Sequence, residues 1–334
     1  MSISKRALVT GVSGQDGSYL AELLLQHGYD VFGLTRPGTT DHPWRIAHLA
    51  DRITLIPTDL MNDESLKSVI DEVRPQEIYN LAAVTSLGAA ATQPELAMAL
   101  NGGGVERCLN AILSVDRSIR FCQASSAEVF GQSPEVPQRE TTPLNPVGPY
   151  ACAKASGHRA VIRYRTQHGG FAVSGILFNH ESPRRGLEFV SRRVTDGVAR
   201  IALGLSDTLT VGNLDARRDW GFAGDYVRAL WLMVQQPRPD DYVIATGETR
   251  SVGELVEVAC SHVGIDWRQH VRSDPSLVRP AEPTPRVGDA SRARAELGWA
   301  PTVGFVQLIH MMVDADLDRL RLSPGVRSPS RGEG

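Results

Sequence analysis

Short apolar runs alternate with amphipathic stretches through the first half of the chain. ALVT (7–10), DVFGLT (30–35), ITLIP (53–57), IYNLAA (78–83), RFCQAS (120–125) and FAVSGILF (171–178) have the length and composition of buried strands. Between them lie stretches of helical periodicity, beginning with Gly17 to Gln26 and including 93–114 and 146–167. Strand alternating with helix predicts an α/β fold with a doubly wound parallel sheet, because parallel neighbours need a crossover and a helix supplies it. From about residue 179 the pattern changes. Charged and Pro-rich loops at 181–187, 236–241 and 273–289 separate helical segments at 188–203, 223–235, 252–264 and 303–320. The expected division is a first domain over 1–178, with later segments returning to it, and a smaller lobe over 179–321. The tail 322–334 has too few apolar residues to pack and is expected to be disordered.

Composition narrows the partners. A total of 35 Lys+Arg against 38 Asp+Glu leaves no basic excess for nucleic acid or an anionic membrane. Any anionic ligand must be met by a few placed arginines and helix ends. No apolar run is long enough to span a bilayer, and the N-terminus runs directly into a strand with no secretory signal. Cys108, Cys122, Cys152 and Cys260 lack disulfide or metal spacing, which fits a reducing cytoplasm. The nine histidines form no HExxH-like pair, so no metal is expected.

The segment ALVTGVSGQDGSYLAELL sets Gly11, Gly14 and Gly17 between a strand and a helix. Glycines let the backbone approach a pyrophosphate, whose charge the helix N-terminus favours, so a Rossmann-type dinucleotide site is expected. The second strand ends in Thr35-Arg36 with no acid. An acid there would accept from the ribose of NAD, whereas a guanidinium pairs with the 2′-phosphate of NADP; NADP is expected over NAD. Asp59, after the third strand, is placed to accept from the adenine amino group or to cap the helix starting near Asp63.

Tyr150 and Lys154 share a helix face as Y-x-x-x-K, and the ammonium is expected to lower the tyrosine pKa towards working pH. Ser125, Ser126 and Glu128 follow a strand, where parallel sheets bind ligands. A serine and a tyrosine suffice for hydride chemistry at a hydroxyl. Glu128 is the addition, and elimination is the reaction that needs such a second base.

With those residues in place the chain resembles the GDP-mannose 4,6-dehydratases, within the extended short-chain dehydrogenase/reductases, over about residues 5–320. The stretches that carry the resemblance include ASSAEVFG, PYACAK, GILFNHESPRRG, GNLDARRDWGFAGDYVRALWLM and LGWAP. It implies that Ser126 stands for a catalytic threonine, Glu128 for the base, and Tyr150 and Lys154 for the tyrosine–lysine pair. It implies NADP contacts from Gly11, Gly14, Gln15, Asp16 and Gly17, from Arg36, Asp59 and Leu60, and from Leu81, Ala82 and Ala83. Tyr150, Lys154, His180 and Arg185 complete that set. Thr85, Ser126, Asn179, Arg193, Arg218, Arg279 and Glu282 are implied to hold the nucleotide-sugar, with Arg185 shared. A homodimer or homotetramer pairing through 93–114 and 146–167 is implied as well.

The chain departs from the family at Pro37, where a second arginine is usual, and at Arg193, where a lysine is usual. It also departs at Val84 and Ser86 and at Phe130, where a tyrosine is usual. The implied chemistry is oxidation at C4 with Tyr150 as base, removal of the C5 proton by Glu128, loss of water from C6, and hydride return to C6. An epimerase, reductase or dehydratase for another nucleotide-sugar is the alternative. So is a silent binding protein, whose mark would be loss of Glu128, Tyr150 or Lys154; all three are present.

Overall fold

A computed structural model describes residues 4–38, 44–277 and 285–322. The first half carries strands β1 (Arg6–Thr10), β2 (Asp30–Thr35), β3 (Thr54–Pro57), β4 (Glu77–Asn80), β5 (Arg120–Ala124) and β6 (Ala172–Leu177). Helices α1 (Gln15–Gln26), α2 (Asp63–Val73), α3 (Leu87–Thr92), α4 (Pro94–Met98), α5 (Gly104–Val115) and α6 (Pro149–His168) connect them. Beyond lie β7 (Asn179–Glu181), α7 (Val190–Ala202), β8 (Leu209–Val211), β9 (Arg217–Arg218), β10 (Trp220–Phe222) and α8 (Ala223–Gln235). They are followed by β11 (Asp241–Ile244), β12 (Arg250–Ser251), α9 (Val252–His262), α10 (Trp267–His270), β13 (Val271–Ser273), α11 (Ser291–Leu297) and α12 (Phe305–Arg321).

The main sheet is parallel and runs β11-β6-β5-β4-β1-β2-β3. Its order reverses between β1 and β4, which opens a crevice beyond their carboxyl ends. One face packs α1, α8 and α11 through Leu20, Leu24, Leu230, Met233, Ala293 and Trp299. The other packs α2, α5 and α6 through Leu66, Ile70, Leu109, Ile112 and Val161. A separate cluster joins α7, α9 and α12 through Val194, Val198, Leu255, Ile309 and Val313.

Three expectations change. The loop read over 236–241 gives way at Asp241 to a sheet strand, β11, which pairs with β6. The helix read over 93–114 starts at Pro94 and widens to a π-helix over Ala99–Gly103. There Asn101 turns to Val84, donating to its carbonyl at 2.9 Å and accepting from its N–H at 2.8 Å. The strand read over 78–83 stops at Asn80, because Leu81 and Ala82 donate their N–H groups to Thr10 Oγ1 at 3.0 Å each. Among the described residues no helix is long and apolar enough to cross a membrane. The expected disordered tail, past Leu322, lies outside the described residues.

Candidate active site

The loop after β1 is shaped by two close approaches. Gly11 adopts φ +68°, and a Cβ there would stand 2.8 Å from the Ala82 nitrogen. A Cβ on Gly17 would stand 2.2 Å from the Gly11 carbonyl oxygen. Only glycine lets the loop, the start of α1 and the exit of β4 crowd together. Gly14 precedes α1 and supplies no side-chain cap, so the first N–H groups of the helix stay available to an anion. This loop, with an uncapped helix start at a sheet switch point, fits a dinucleotide pyrophosphate.

Gln15 and Asp16 tie this helix start to β7. Gln15 Nε2 donates to the His180 carbonyl at 3.2 Å, and Gln15 Oε1 accepts from Ser182 Oγ at 2.8 Å. Both ring nitrogens of His180 face acceptors: Nε2 the Asp16 carboxylate at 2.9 Å, Nδ1 the Phe178 carbonyl at 2.7 Å. Burial opposes both charges, yet the His180 partner holds the Asp16 carboxyl down at about 2. Burial likewise pulls His180 down, but Asp16 outweighs it and raises the imidazole above its ordinary range. Arg36 stands exposed at the end of β2, and Ala83 is half-buried beyond β4. Asp59 is drawn into its own turn, accepting from Met61 N–H at 2.9 Å, while Asn62 caps α2. Leu60 accepts from Arg107 Nε at 2.9 Å.

Beyond β5, Ala127, Val129 and Phe130 are buried while Ser126 and Glu128 are not, so alternation turns the two polar side chains to the open side. Ser126 Oγ caps the 3₁₀ turn, accepting from Glu128 N–H at 3.3 Å, and its nearby hydroxyl favours the Tyr150 phenolate. Ser125 is buried instead, with no hydrogen-bond partner for its hydroxyl among the described residues. Tyr150 enters in the first turn of α6, behind Pro149, and Lys154 follows one turn on. Here the sequence reading needs correction. Tyr150 is pushed up to about 12 by burial and by the nearby Glu128 charge, against the help of Ser126 and Arg185. Lys154 does not counter this. Its ammonium donates to the Ala124 carbonyl at 2.9 Å, lies 6.0 Å from the Tyr150 ring centre, and is itself drawn down to about 8 by burial.

Arg185 pairs with Glu181 at 3.2 Å and stacks over the Phe189 ring. Asn179 heads β7, and Arg218 on β9 donates to the Arg217 carbonyl at 2.7 Å. Thr85 is exposed, and Arg193 is exposed in the first turn of α7. Its neighbour Arg192 is the buried one, ion-paired to Asp316. Arg279 and Glu282 lie outside the described residues. Of the departures, Ser86 caps α3 and Phe130 packs near Phe178 in the core. Phe130 therefore does not line the cleft. Sequence reasoning missed Arg286, whose guanidinium forms an ion pair with Glu128. Nothing local marks it, since Arg286 sits far along the chain beside a Pro-rich loop. Among the described residues no cluster of His, Cys, Asp and Glu is arranged to hold a metal ion.

A family model described as GDP-mannose 4,6 dehydratase matches residues 8–312. GDP-mannose 4,6 dehydratase 2 of Arabidopsis thaliana is 46% identical, the match covering 94% of this chain and 87% of that one. GDP-mannose 4,6 dehydratase of Homo sapiens is 42% identical, over 95% of this chain and 93% of that one. Among solved structures, the UDP-glucose 4-epimerase of Thermus thermophilus, in complex with NAD, superposes with a TM-score of 0.81 at 26% identity. That match covers 93% of this chain and 98% of the epimerase.

Proposed function

The chain belongs to the GDP-mannose 4,6-dehydratase family, and from that premise we propose that it converts GDP-mannose to its 4-keto-6-deoxy derivative, with NADP as resident cofactor. The observation that carries this reading is the placement of Glu128. It shares one turn with Ser126 and lies near enough to Tyr150 to raise its pKa. That neighbourhood supports a reading in which a redox tyrosine and an elimination base act on one substrate.

The glycine loop and the first turn of α1 would hold the pyrophosphate, and Arg36 the 2′-phosphate. When bound, NADP would supply a nicotinamide ring that accepts a hydride and later returns it. Ser126 orients the C4 hydroxyl and Tyr150 takes its proton. Glu128 then removes the C5 proton, acidified by the C4 ketone, and delivers a proton to the C6 hydroxyl as it leaves as water. Arg185, Arg193 and Arg218 would meet the nucleotide pyrophosphate, a task suited to planar guanidinium forks. The reading extends to self-association through α4–α5 and α6, and to a cytoplasmic setting in which the four cysteines remain free, as they are in the structure.

The test is GDP-mannose carrying deuterium at C4. The label should appear at C6 of the product, with solvent hydrogen at C5 and no net cofactor consumed. Label returned to C4 would indicate an epimerase, and stoichiometric NADPH consumption a reductase; either outcome rejects the reading.

A further inference from the structure

We propose that Arg286 is a positioning residue for the elimination step, holding Glu128 as an aimed carboxylate through a half-buried ion pair. This rests on the reading of Glu128 as the C5 base. The guanidinium Nη1 engages Glu128 Oε1, and the two side chains are only 14% and 20% exposed. So little water screens the pair that neither charge is comfortable without a partner.

Both sides of the pair stand on fixed backbone. The Glu128 turn is pinned by buried Val129 and Phe130. The stretch around Arg286 is strapped to buried Gln138. Gln138 Nε2 donates to the Pro285 carbonyl at 3.1 Å, and Val287 N–H donates to Gln138 Oε1 at 3.1 Å. Backbone bonds continue the strap, from Gln138 N–H to the Val287 carbonyl at 2.9 Å and from Asp289 N–H to the Gln138 carbonyl at 2.7 Å. Gly288 N–H adds a bond to buried Asp219 at 3.3 Å, and a Cβ on Gly288 would lie 2.4 Å from the Ala245 Cβ. The guanidinium is therefore delivered by a fixed support, unlike a charge on a mobile surface stem.

The geometry has a chemical consequence. Arg286 engages Oε1, which leaves Oε2 to take the C5 proton. As that proton arrives, the C5–H electron pair forms the C5–C6 double bond and the C6–O bond breaks. A neutral carboxyl then no longer pairs with the guanidinium of Arg286. Passing the proton on to the departing C6 oxygen restores the ion pair and releases water. Arg286 thus holds one oxygen of Glu128 in place and leaves the other to exchange the proton.

The experiment compares wild-type holoenzyme with Arg286→Leu and Arg286→Lys. Two readings are taken on mixing with GDP-mannose in deuterated water. The rise in reduced-nicotinamide absorbance reports C4 oxidation, and mass spectrometry reports deuterium entering C5. Arg286→Leu should keep the absorbance rise near normal while C5 incorporation and product formation fall by about 10²-fold, the scale of a disabled general base. Arg286→Lys should restore part of the loss, with KM little changed. If Arg286→Leu does not fold, Arg286→Gln carries the same two readings. Both readings falling in equal proportion, or C5 incorporation at the wild-type rate, would overturn the role of Arg286. Wild-type enzyme that forms no dehydrated product would instead overturn the reading of the site, and this inference with it.

Discussion

Single residues in this cleft carry charges that their surroundings oppose. Burial makes the Tyr150 phenolate and the Lys154 ammonium costly in the chain alone, so the pair is not a preformed phenolate–ammonium couple. Ser126 and Arg185 favour the phenolate, and a bound oxidised cofactor would add a positive charge to that effect. Arg36 has the opposite situation: it is exposed and available, with Pro37 where a second arginine is usual in the family. One guanidinium must then carry the contrast between NADP and NAD. Arg36→Ala should weaken NADP binding by about 1.5–3 kcal/mol, the scale of a charge-assisted hydrogen bond, and leave NAD binding nearly unchanged. Titration calorimetry with both cofactors checks this, and equal wild-type affinities would refute it. At this scale the sequence was legible where spacing is local. The glycines around Gly11 and the Tyr150–Lys154 step lie within single turns, so their geometry follows from the backbone. Arg286 was illegible because its partner is reached only through the fold.

Elements meet at this site by being pinned to one another. The start of α1 is fastened to β7 by Asp16, Gln15, His180 and Ser182, and the His180 ring stacks on Tyr226 of α8 at 4.7 Å. The pairing of Asp16 with His180 makes this junction sensitive to pH. The Asp16 carboxyl is held at about 2 against an ordinary 3.8, so its stabilisation is full above 3.8 and is lost as pH falls towards 2. His180 is raised above its ordinary 6.5, so its share is full below 6.5 and fades as pH climbs through the raised value. The unfolding free energy of the cofactor-free protein, from urea titration, should therefore differ most between wild type and Asp16→Asn from about pH 4 to 6.5, by about 2 kcal/mol, and converge on both sides. A difference that is constant across pH would refute the charge pairing. Legibility among elements followed periodicity. The strands before residue 178 were bounded by turns and stood out. Asp241–Ile244 did not, because it is short, opens on a charged residue and follows a Pro-rich loop; only its pairing with β6 makes it a strand. Likewise the π-turn at Ala99–Gly103 leaves no trace in hydrophobic period, since it changes one turn inside a helical pattern.

At the scale of the whole molecule, α5 and α6 bury one side against the sheet through Val105, Leu109, Ile112, Val161 and Tyr164. Helix α4 carries Leu96 and Met98 at the adjoining surface, 41% and 43% exposed. Close by, Glu106 and Arg163 form an ion pair between α5 and α6. Apolar side chains beside a polar margin suit a two-fold contact, in which one patch meets its own copy. Burying the exposed part of two such side chains on each partner contributes about 1 kcal/mol per side chain. The expected species is a dimer at micromolar concentration, measured by light scattering. Leu96→Glu should shift it to monomer, because the contact would bring two carboxylates together across the axis with no core position disturbed. The far-UV circular dichroism of the isolated subunit should match that of wild type, since Leu96 lies outside the buried core. Wild type that scatters as a monomer, or Leu96→Glu that remains a dimer, would place the contact elsewhere. A loss of helical signal together with dissociation would mean instead that α4 is held in place by the partner.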